Sequence, residues 1–257
     1  MRMDSPIQVT LVANAGLLLR YQDTSILLDA LYSGESCSFC EASPATRERL
    51  LRGDPPFDSV DYVLFTHLHE DHFSEALTRE FLLSHRVKGL VLPYSERLEQ
   101  RGFFDFVQES GTPCHVLTGD SCKAEFRLSD TIRISALRTL HLDEKYHGVL
   151  HFCYLISCGE KKLLFTSDVD YTREQLSFLG TDTLRAAFVN PLFFSDLQRR
   201  RFFHGRLPAE TIVVYHLPFS EKKAGPLQRM FSRSLQGWPE NGPPVAVLER
   251  QLETIEL

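Results

Sequence analysis

The chain alternates short apolar runs with polar turns, a pattern that predicts many short β-strands. The runs "IQVTLVA" and "GLLLRYQ" flank the turn at 14–16 and predict an antiparallel hairpin. A second hairpin is expected where "HFCYLIS" and "KLLFTS" meet. Further strands are predicted at "SILLDAL", "DYVLFTH", "GLVLP", "CHVLT", "KAEFRL", "TIRISALRTL", "RAAFVN" and "TIVVYH", and the closing stretch "VAVLERQLETIEL" is expected to be partly extended.

Helical periodicity separates several of these strands. Ser74 can cap a helix over 75–85, in which Leu77, Phe81 and Leu82 share one face. Strands in two groups, with helices interspersed, predict two mixed β-sheets flanked by helices rather than a regular βαβ series. The other helices are predicted at 44–51, in two short pieces that end at Gly111, at 172–179 and at 226–235.

Length and composition describe an ordinary globular protein. The 257 residues fit a single domain over 1–257, and hydrophobic residues make up 43% of them. The net charge of −6 argues against a general nucleic-acid binder, which is usually basic. The first residues do not form a signal peptide, and no apolar run reaches the roughly 18 residues of a membrane span. We therefore expect a cytoplasmic protein with reduced thiols that acts on a small molecule and has no membrane partner.

Ionisable side chains stand at the carboxyl ends of five predicted strands. Functional sites are built where loops leave a rigid scaffold, so these strand ends are expected to converge on one site. The residues concerned are Asp29, His67, His141, Asp168 and His216.

The stretch "FTHLHEDHFS" gathers His67, His69, Asp71 and His72 between a strand and a helix. Such a cluster packs poorly but suits a divalent ion, because imidazole and carboxylate groups bind zinc, iron and manganese. His67 and His69 leave one face of an extended segment, whereas Asp71 and His72 follow a turn and can address a second position. The sequence therefore predicts a metal centre that two ions can share.

The pattern HxHxDH formed by these four residues resembles the signature of the metallo-β-lactamase superfamily, and the later strand-end residues follow in the expected order. The resemblance implies a four-layer αββα sandwich of two mixed β-sheets flanked by helices, with the metals at one edge. The outline is more similar to the lactonase-like branch than to the β-lactamases. The implied ligands of one ion are His67, His69 and His141, and those of the other are Asp71, His72 and His216, with Asp168 as the bridge.

The resemblance implies two divalent ions, for which zinc is expected and iron or manganese are alternatives. Asp71 is expected to orient the attacking water or to accept its proton, and Asp29 to support the motif loop from behind the ligands. Hydrolysis of an ester-type bond by a metal-bound hydroxide is the implied reaction, with a lactone, phosphodiester or thioester as substrate.

Two other functions are weighed against hydrolysis. One is a non-catalytic binding relative that has lost its metals, which retention of every ligand type argues against. The other is a di-iron redox protein, because some relatives reduce oxygen or nitric oxide. Those relatives replace the second motif histidine with glutamate and carry a flavin domain, whereas this sequence keeps His69.

The later ligands leave alternatives open. Ser167 departs from the glycine that usually precedes the bridging aspartate in the family. His147 and His151 compete with His141 as the third histidine ligand, and either could contact substrate. His141 is preferred because it follows a long strand and so has a rigid backbone.

Two further stretches drew attention but are expected to be incidental. Cys37 and Cys40 form a CxxC pair with no second pair, so ordinary thiols are favoured over a structural zinc or a redox site. The basic stretch "QRRRFFHGR" (198–206) is expected to be a solvated surface, or else a cap that meets an anionic group on the substrate.

Overall fold

The structure is a computed structural model, and it describes residues 5–33, 41–171, 183–195, 209–218 and 221–257. The chain forms two compact units. The first comprises Met1–Asp120 and Arg250–Leu257, and the second comprises Ser121–Glu249. Cys37, Cys40, the predicted helix at 172–179 and the basic stretch 198–206 lie outside the described residues.

The first unit contains a mixed sheet of seven strands among the described residues, in the order β14-β1-β2-β3-β4-β5-β6. Strands β14 to β3 are antiparallel, and β3 to β6 are parallel. The strands are β1 (Ile7–Leu11), β2 (Leu17–Tyr21), β3 (Thr24–Leu28), β4 (Tyr62–Leu64), β5 (Gly89–Pro93), β6 (Cys114–Leu117) and β14 (Thr254–Glu256).

Four helices of the first unit pack on its apolar core. They are α1 (Pro44–Arg52), α2 (Glu75–Ser84), α3 (Glu96–Gln100) and α4 (Phe103–Glu109). Ser74 accepts a hydrogen bond from the Leu77 amide and starts α2, as the sequence predicts. Helix α1 begins with Pro44 and ends at Gly53, whose φ of 69° is left-handed. The core residues that these helices contribute include Leu50, Leu77, Phe81, Leu98 and Phe103.

The second unit contains another mixed sheet of seven strands in the described part of the chain, in the order β13-β12-β11-β10-β9-β8-β7. Strands β7 to β10 form an antiparallel meander, and β10 to β13 are parallel. The strands are β7 (Lys123–Arg127), β8 (Ile132–Thr139), β9 (His151–Cys158), β10 (Lys161–Phe165), β11 (Ala186–Val189), β12 (Ile212–Val214) and β13 (Val245–Val247).

Helical structure in the second unit packs on the parallel part of its sheet. Short 3₁₀ helices occupy Glu144–Tyr146 and Pro191–Ser195, and the long helix α5 spans Glu221–Gln236. Phe231 of α5 joins Phe193 and Phe194 in the core of this unit. The sequence predicted the start of α5 at residue 226, but the backbone is already helical five residues earlier, ahead of the Gly225-Pro226 pair. Among the described residues, no helix is long and apolar enough to span a bilayer.

The closing stretch of the sequence divides between the two sheets. β13 joins the second sheet, and β14 pairs antiparallel with β1 at the outer edge of the first. The amides and carbonyls of Ile7 and Leu257 exchange two hydrogen bonds (3.1 and 2.9 Å), and the hydroxyls of Thr10 and Thr254 lie 2.8 Å apart. The first unit is therefore completed by residues from the far end of the sequence.

The predicted turn at 14–16 is confirmed, and it depends on Gly16. The amides of Val12 and Ala13 donate to the Gly16 carbonyl, and β1 and β2 pair in register from Leu11 and Leu17 outward. A Cβ at this glycine would lie 2.7 Å from the Ala30 Cα, because the turn packs against the backbone that follows β3.

We expect Gly16→Ala to lower the free energy of unfolding by about 1–3 kcal/mol, because the added methyl group forces backbone apart in a close-packed region. Urea denaturation of the purified variant measures this change. Gly148→Ala is the matched control, since a Cβ there meets nothing within 4 Å. Its unfolding free energy should stay within about 0.5 kcal/mol of wild type. Equal effects from the two substitutions would contradict the packing argument.

His85 has a structural role that gives stability a pH dependence. It ends α2, stacks on the Phe81 ring at 4.1 Å and donates from Nδ1 to the Phe81 carbonyl (3.2 Å). Burial lowers the pKa of His85, and the hydrogen bond to Phe81 offsets part of that effect. The unfolded chain therefore takes up a proton more readily than the folded chain.

We expect this histidine to favour folding fully above pH 6.5 and to lose that contribution as the pH falls below it. As the pH falls from 7.5 to 5.5, the unfolding free energy of wild type should decrease relative to that of His85→Gln. Urea melts across that range measure the shift, with His115→Gln as the control because His115 is an exposed histidine of β6. A pH-independent difference for His85→Gln would contradict the assignment.

Candidate metal centre

The first unit buries the carboxylate of Asp29 at the end of β3, where the residue is 1% exposed. Its Oδ1 accepts a hydrogen bond from the Thr66 amide (2.8 Å). Its Oδ2 accepts from the Thr66 hydroxyl (2.6 Å) and from Nδ1 of His72 (3.0 Å). Three donors thus compensate a buried negative charge that would otherwise be costly. As expected from the sequence, Asp29 lies behind the histidine motif and ties it to β3.

This network fixes which ring nitrogen of His67 carries the proton. The Thr66 hydroxyl gives its proton to Asp29, so it can only accept from Nδ1 of His67, 3.1 Å away. With its proton on Nδ1, His67 presents the lone pair of Nε2, which lies 3.0 Å from Nδ1 of His69. Two ligands of a tetrahedral zinc ion lie about 3.3 Å apart, so this spacing fits two donors of one cation.

The Asp29 carboxylate also fixes which ring nitrogen of His72 carries the proton. Because Nδ1 of His72 donates to Asp29, its Nε2 is left to face Asp71, with a carboxylate oxygen at 3.7 Å. The chain turns between the two halves of the motif, where the His69 carbonyl accepts from the amides of His72 (3.0 Å) and Phe73 (2.9 Å). The motif therefore presents two separate donor pairs, as predicted, and His67 and His72 are both fully buried.

The second unit brings together Asp168, His141 and His216. Nε2 of His141 lies 3.8 Å from Oδ2 of Asp168, and Nε2 of His216 lies 3.8 Å from Oδ1. The two oxygens of one carboxylate thus face two different histidines. All three residues are buried, at 5%, 9% and 4% exposure for His141, Asp168 and His216. This is a donor set suited to divalent cations.

Backbone contacts fix the loops that carry His141 and Asp168. His141 forms an isolated β-bridge with Val169, the Leu142 amide donates to the Asp168 carbonyl (2.7 Å), and the Asp170 amide donates to Leu140 (2.8 Å). The Asp143 amide donates to Nδ1 of His141 (3.0 Å). Strand β8 ends two residues before His141, so the bridge to Val169, rather than the strand, holds His141 in place.

The backbone at Ser167 is left-handed, which explains why glycine is usual at this position. Its φ is 49°, a region that glycine adopts freely and other residues rarely occupy. The glycine usual in the family meets the same geometric demand without strain. Here the Ser167 amide donates to the Tyr215 hydroxyl (3.2 Å), and His216 itself has a φ of 66°. Strained residues therefore flank or carry the second unit's donors, as is common at functional sites.

Asn190 is a residue that the sequence reasoning missed. It follows β11 and is 2% exposed, and its amide nitrogen donates to Oδ1 of Asp168 (2.8 Å). The signal was available, since "RAAFVN" ends on a polar residue at a strand end as the other site residues do. The predicted strand-end pattern comprises ionisable side chains only, so an asparagine falls outside it.

The competing histidines have other neighbours. Nε2 of His147 lies 4.0 Å from Asp170, and Nδ1 of His151 lies 2.7 Å from the Thr139 hydroxyl within the sheet. His141 directs Nε2 at Oδ2 of Asp168, 3.8 Å away. Its Nδ1 accepts from the Asp143 amide, so binding of an ion at Nε2 requires that nitrogen to release its proton. This geometry favours His141 as the third histidine, although its identity as a ligand stays a prediction.

We expect Thr66→Val to weaken metal binding about 10- to 100-fold, because it removes the hydroxyl that fixes the His67 tautomer and orientation. Zinc competition against a chromophoric chelator measures the affinity. Thr66→Ser is the matched control, since it keeps the hydroxyl and should bind zinc nearly as wild type does. Wild-type affinity in Thr66→Val would show that the hydroxyl does not set the ligand atom.

The fold matches that of several solved structures. The metallo hydrolase Igni18 from Ignicoccus hospitalis is 14% identical with a TM-score of 0.62, over 98% of this chain and 99% of that chain. An isothiocyanate hydrolase from Delia radicum gut bacteria is 17% identical with a TM-score of 0.61, over 96% and 98%. CmlA, a diiron β-hydroxylase from Streptomyces venezuelae, is 20% identical with a TM-score of 0.57, over 99% of this chain and 54% of that chain.

These likenesses, with the two mixed sheets and their helices, confirm the predicted fold class. A search of curated proteins found no significant match. The family model described as the beta-lactamase superfamily domain matches residues 24–219, which is more than half of the chain. The chain therefore belongs to the β-lactamase superfamily, the superfamily of metal-dependent hydrolases that its HxHxDH motif predicts.

Proposed function

We propose that the chain hydrolyses an ester-type bond in a small molecule with the help of two divalent ions. Zinc is the expected ion, because histidine and aspartate donors suit it, and iron or manganese are the alternatives. The proposed ligands of one ion are His67, His69 and His141, and those of the other are Asp71, His72 and His216, with Asp168 shared between them.

The observation that carries this proposal is the position of the Asp168 carboxylate between two histidines. One oxygen faces His141 and the other faces His216, each at 3.8 Å. A single carboxylate that meets one cation would not need a histidine on each oxygen. Family membership supports the same assignment, because the superfamily motif is present in full in the first unit.

The ions would polarise the scissile bond and lower the pKa of a coordinated water, which supplies the nucleophile near neutral pH. The protein's own residues would orient and protect that chemistry. Asp71 is 8% exposed and would orient the attacking water or accept its proton. Asp29 and Thr66 would hold the two motif histidines in their ligating tautomers.

The two buried cysteines of β9 are poor candidates for a nucleophile. Burial raises the pKa of both Cys153 and Cys158 to about 12, so neither is a thiolate at neutral pH. Both lie in β9, away from solvent. Water activation in place of covalent catalysis is therefore the route that this donor set favours.

Lactones, phosphodiesters and thioesters are the proposed substrate classes. The resemblance to the lactonase-like branch favours a lactone, whereas isothiocyanate hydrolysis by a neighbour of the same fold shows that the fold accepts other bonds. A cytoplasmic location stays a prediction.

A redox function is the competing proposal, and the diiron β-hydroxylase CmlA gives it a structural neighbour. His69 argues against it, because the redox relatives considered above carry glutamate at that position. A metal-poor binding relative is the third possibility, and it would show no bound ions after purification.

We expect about two divalent ions per chain in protein purified without added metal, measured by elemental analysis. Asp168→Asn should lose at least one ion and lower kcat/KM at least about 100-fold. Removal of a proposed metal ligand should reduce activity more than removal of a residue that only hydrogen-bonds to a ligand. A panel of lactone, phosphodiester and thioester substrates identifies the activity to be followed.

Asp170→Asn is the matched control, because Asp170 is a buried carboxylate two positions away that faces His147. It should keep both ions. Loss of metal in Asp170→Asn with full retention in Asp168→Asn would overturn the placement of the bridge. A two-ion protein that hydrolyses none of the panel but consumes oxygen with a reductant would favour the redox alternative.

A further inference from the structure

The buried amide of Asn190 has two separate sets of contacts. Its nitrogen donates to Oδ1 of Asp168 at 2.8 Å and lies 3.4 Å from the Ser167 carbonyl. Its oxygen accepts from the Leu192 amide at 2.8 Å, at the start of the 3₁₀ helix that follows β11. The amide is therefore held at one end by backbone and directed at the carboxylate with the other.

Asn190 lies closer to the Asp168 carboxylate than either histidine does. The histidine nitrogens lie 3.8 Å away, which is outside hydrogen-bond distance. The Asn190 contact at 2.8 Å is a charge-assisted hydrogen bond to the carboxylate. The amide therefore constrains the orientation of the carboxylate more tightly than the imidazoles do at these distances.

An aspartate carboxyl group turns easily about its last side-chain bond, because that torsion has a broad energy profile. A carboxylate without a fixed donor can turn and offer both oxygens to one cation. With Oδ1 held by Asn190, the carboxylate keeps one oxygen toward His141 and the other toward His216. This is the orientation that suits two separate cations.

We propose that Asn190 is a positioning residue that keeps Asp168 in a bridging orientation, so that each of its oxygens serves a different ion. The inference rests on the proposed two-ion function. Asn190 does not touch the reacting atoms in this role. It acts through the carboxylate, and its effect should fall on the second ion to bind more than on the first.

The first test needs no metal. Crystal structures of metal-free wild type and Asn190→Ala should differ in the Asp168 carboxylate, which should turn away from the orientation that faces both histidines. An unchanged carboxylate in Asn190→Ala would overturn the proposal. This result is independent of the number of ions that the wild type binds.

The second test measures stepwise zinc affinity by chelator competition. Asn190→Ala should weaken the second binding step about 10-fold and leave the first nearly unchanged, because outer contacts to a ligand typically contribute 10- to 100-fold to affinity. Cobalt(II) absorption at one and two equivalents should show the same asymmetry as a changed spectrum for the second ion alone.

Thr139→Val is the control for a merely structural role. Thr139 is buried in the same unit, and its hydroxyl lies 2.7 Å from Nδ1 of His151. If Asn190→Ala lowers thermal stability and weakens both binding steps equally, as a general packing defect in Thr139→Val would, the positioning role is wrong. A wild type that binds fewer than two ions would refute the proposed function, and the metal-free structures would still decide the role of Asn190.

Discussion

The carboxylate of Asp29 is the constraint on which the first unit's donors depend. A buried negative charge must be compensated by donors, and here the compensating groups are the amide and hydroxyl of Thr66 and a ring nitrogen of His72. Each donor that stabilises the charge also has its proton placed by it. The hydrogen bonds that compensate Asp29 therefore determine which ring nitrogens of His67 and His72 carry the proton and which keep a lone pair.

The second unit reaches a comparable result by different means. The Asp168 carboxylate accepts a hydrogen bond from the neutral Asn190 amide, and the loops around His141 and Asp168 are held by backbone hydrogen bonds to each other. Left-handed backbone at Ser167 and His216 shows that the chain accepts local strain there. Asp29 also has a left-handed φ of 49°, so the units differ in the groups that hydrogen-bond their buried carboxylate and not in the use of strained backbone.

The sequence was a good guide wherever periodicity or a strand end carried the information. The strands, the cap at Ser74 and the histidine motif follow from local patterns, and the structure agrees with them. Asn190 stands at a strand end as the other site residues do, but its role depends on a carboxylate 22 positions away, which the local sequence does not reveal. The early start of α5 was missed because the Gly225-Pro226 pair favours a helix boundary, whereas the helix begins at Glu221 and continues through the pair.

The pairing of β14 with β1 has a consequence for how the protein is made. Thr10 and Thr254 are 244 positions apart, so the apolar strand β1 leaves the ribosome long before its outer partner exists. At about 5–20 residues per second, the nascent chain carries that open edge for roughly 10–50 seconds. An unpaired strand edge invites association with other chains. During synthesis this open edge is therefore available to pair with strands of other chains.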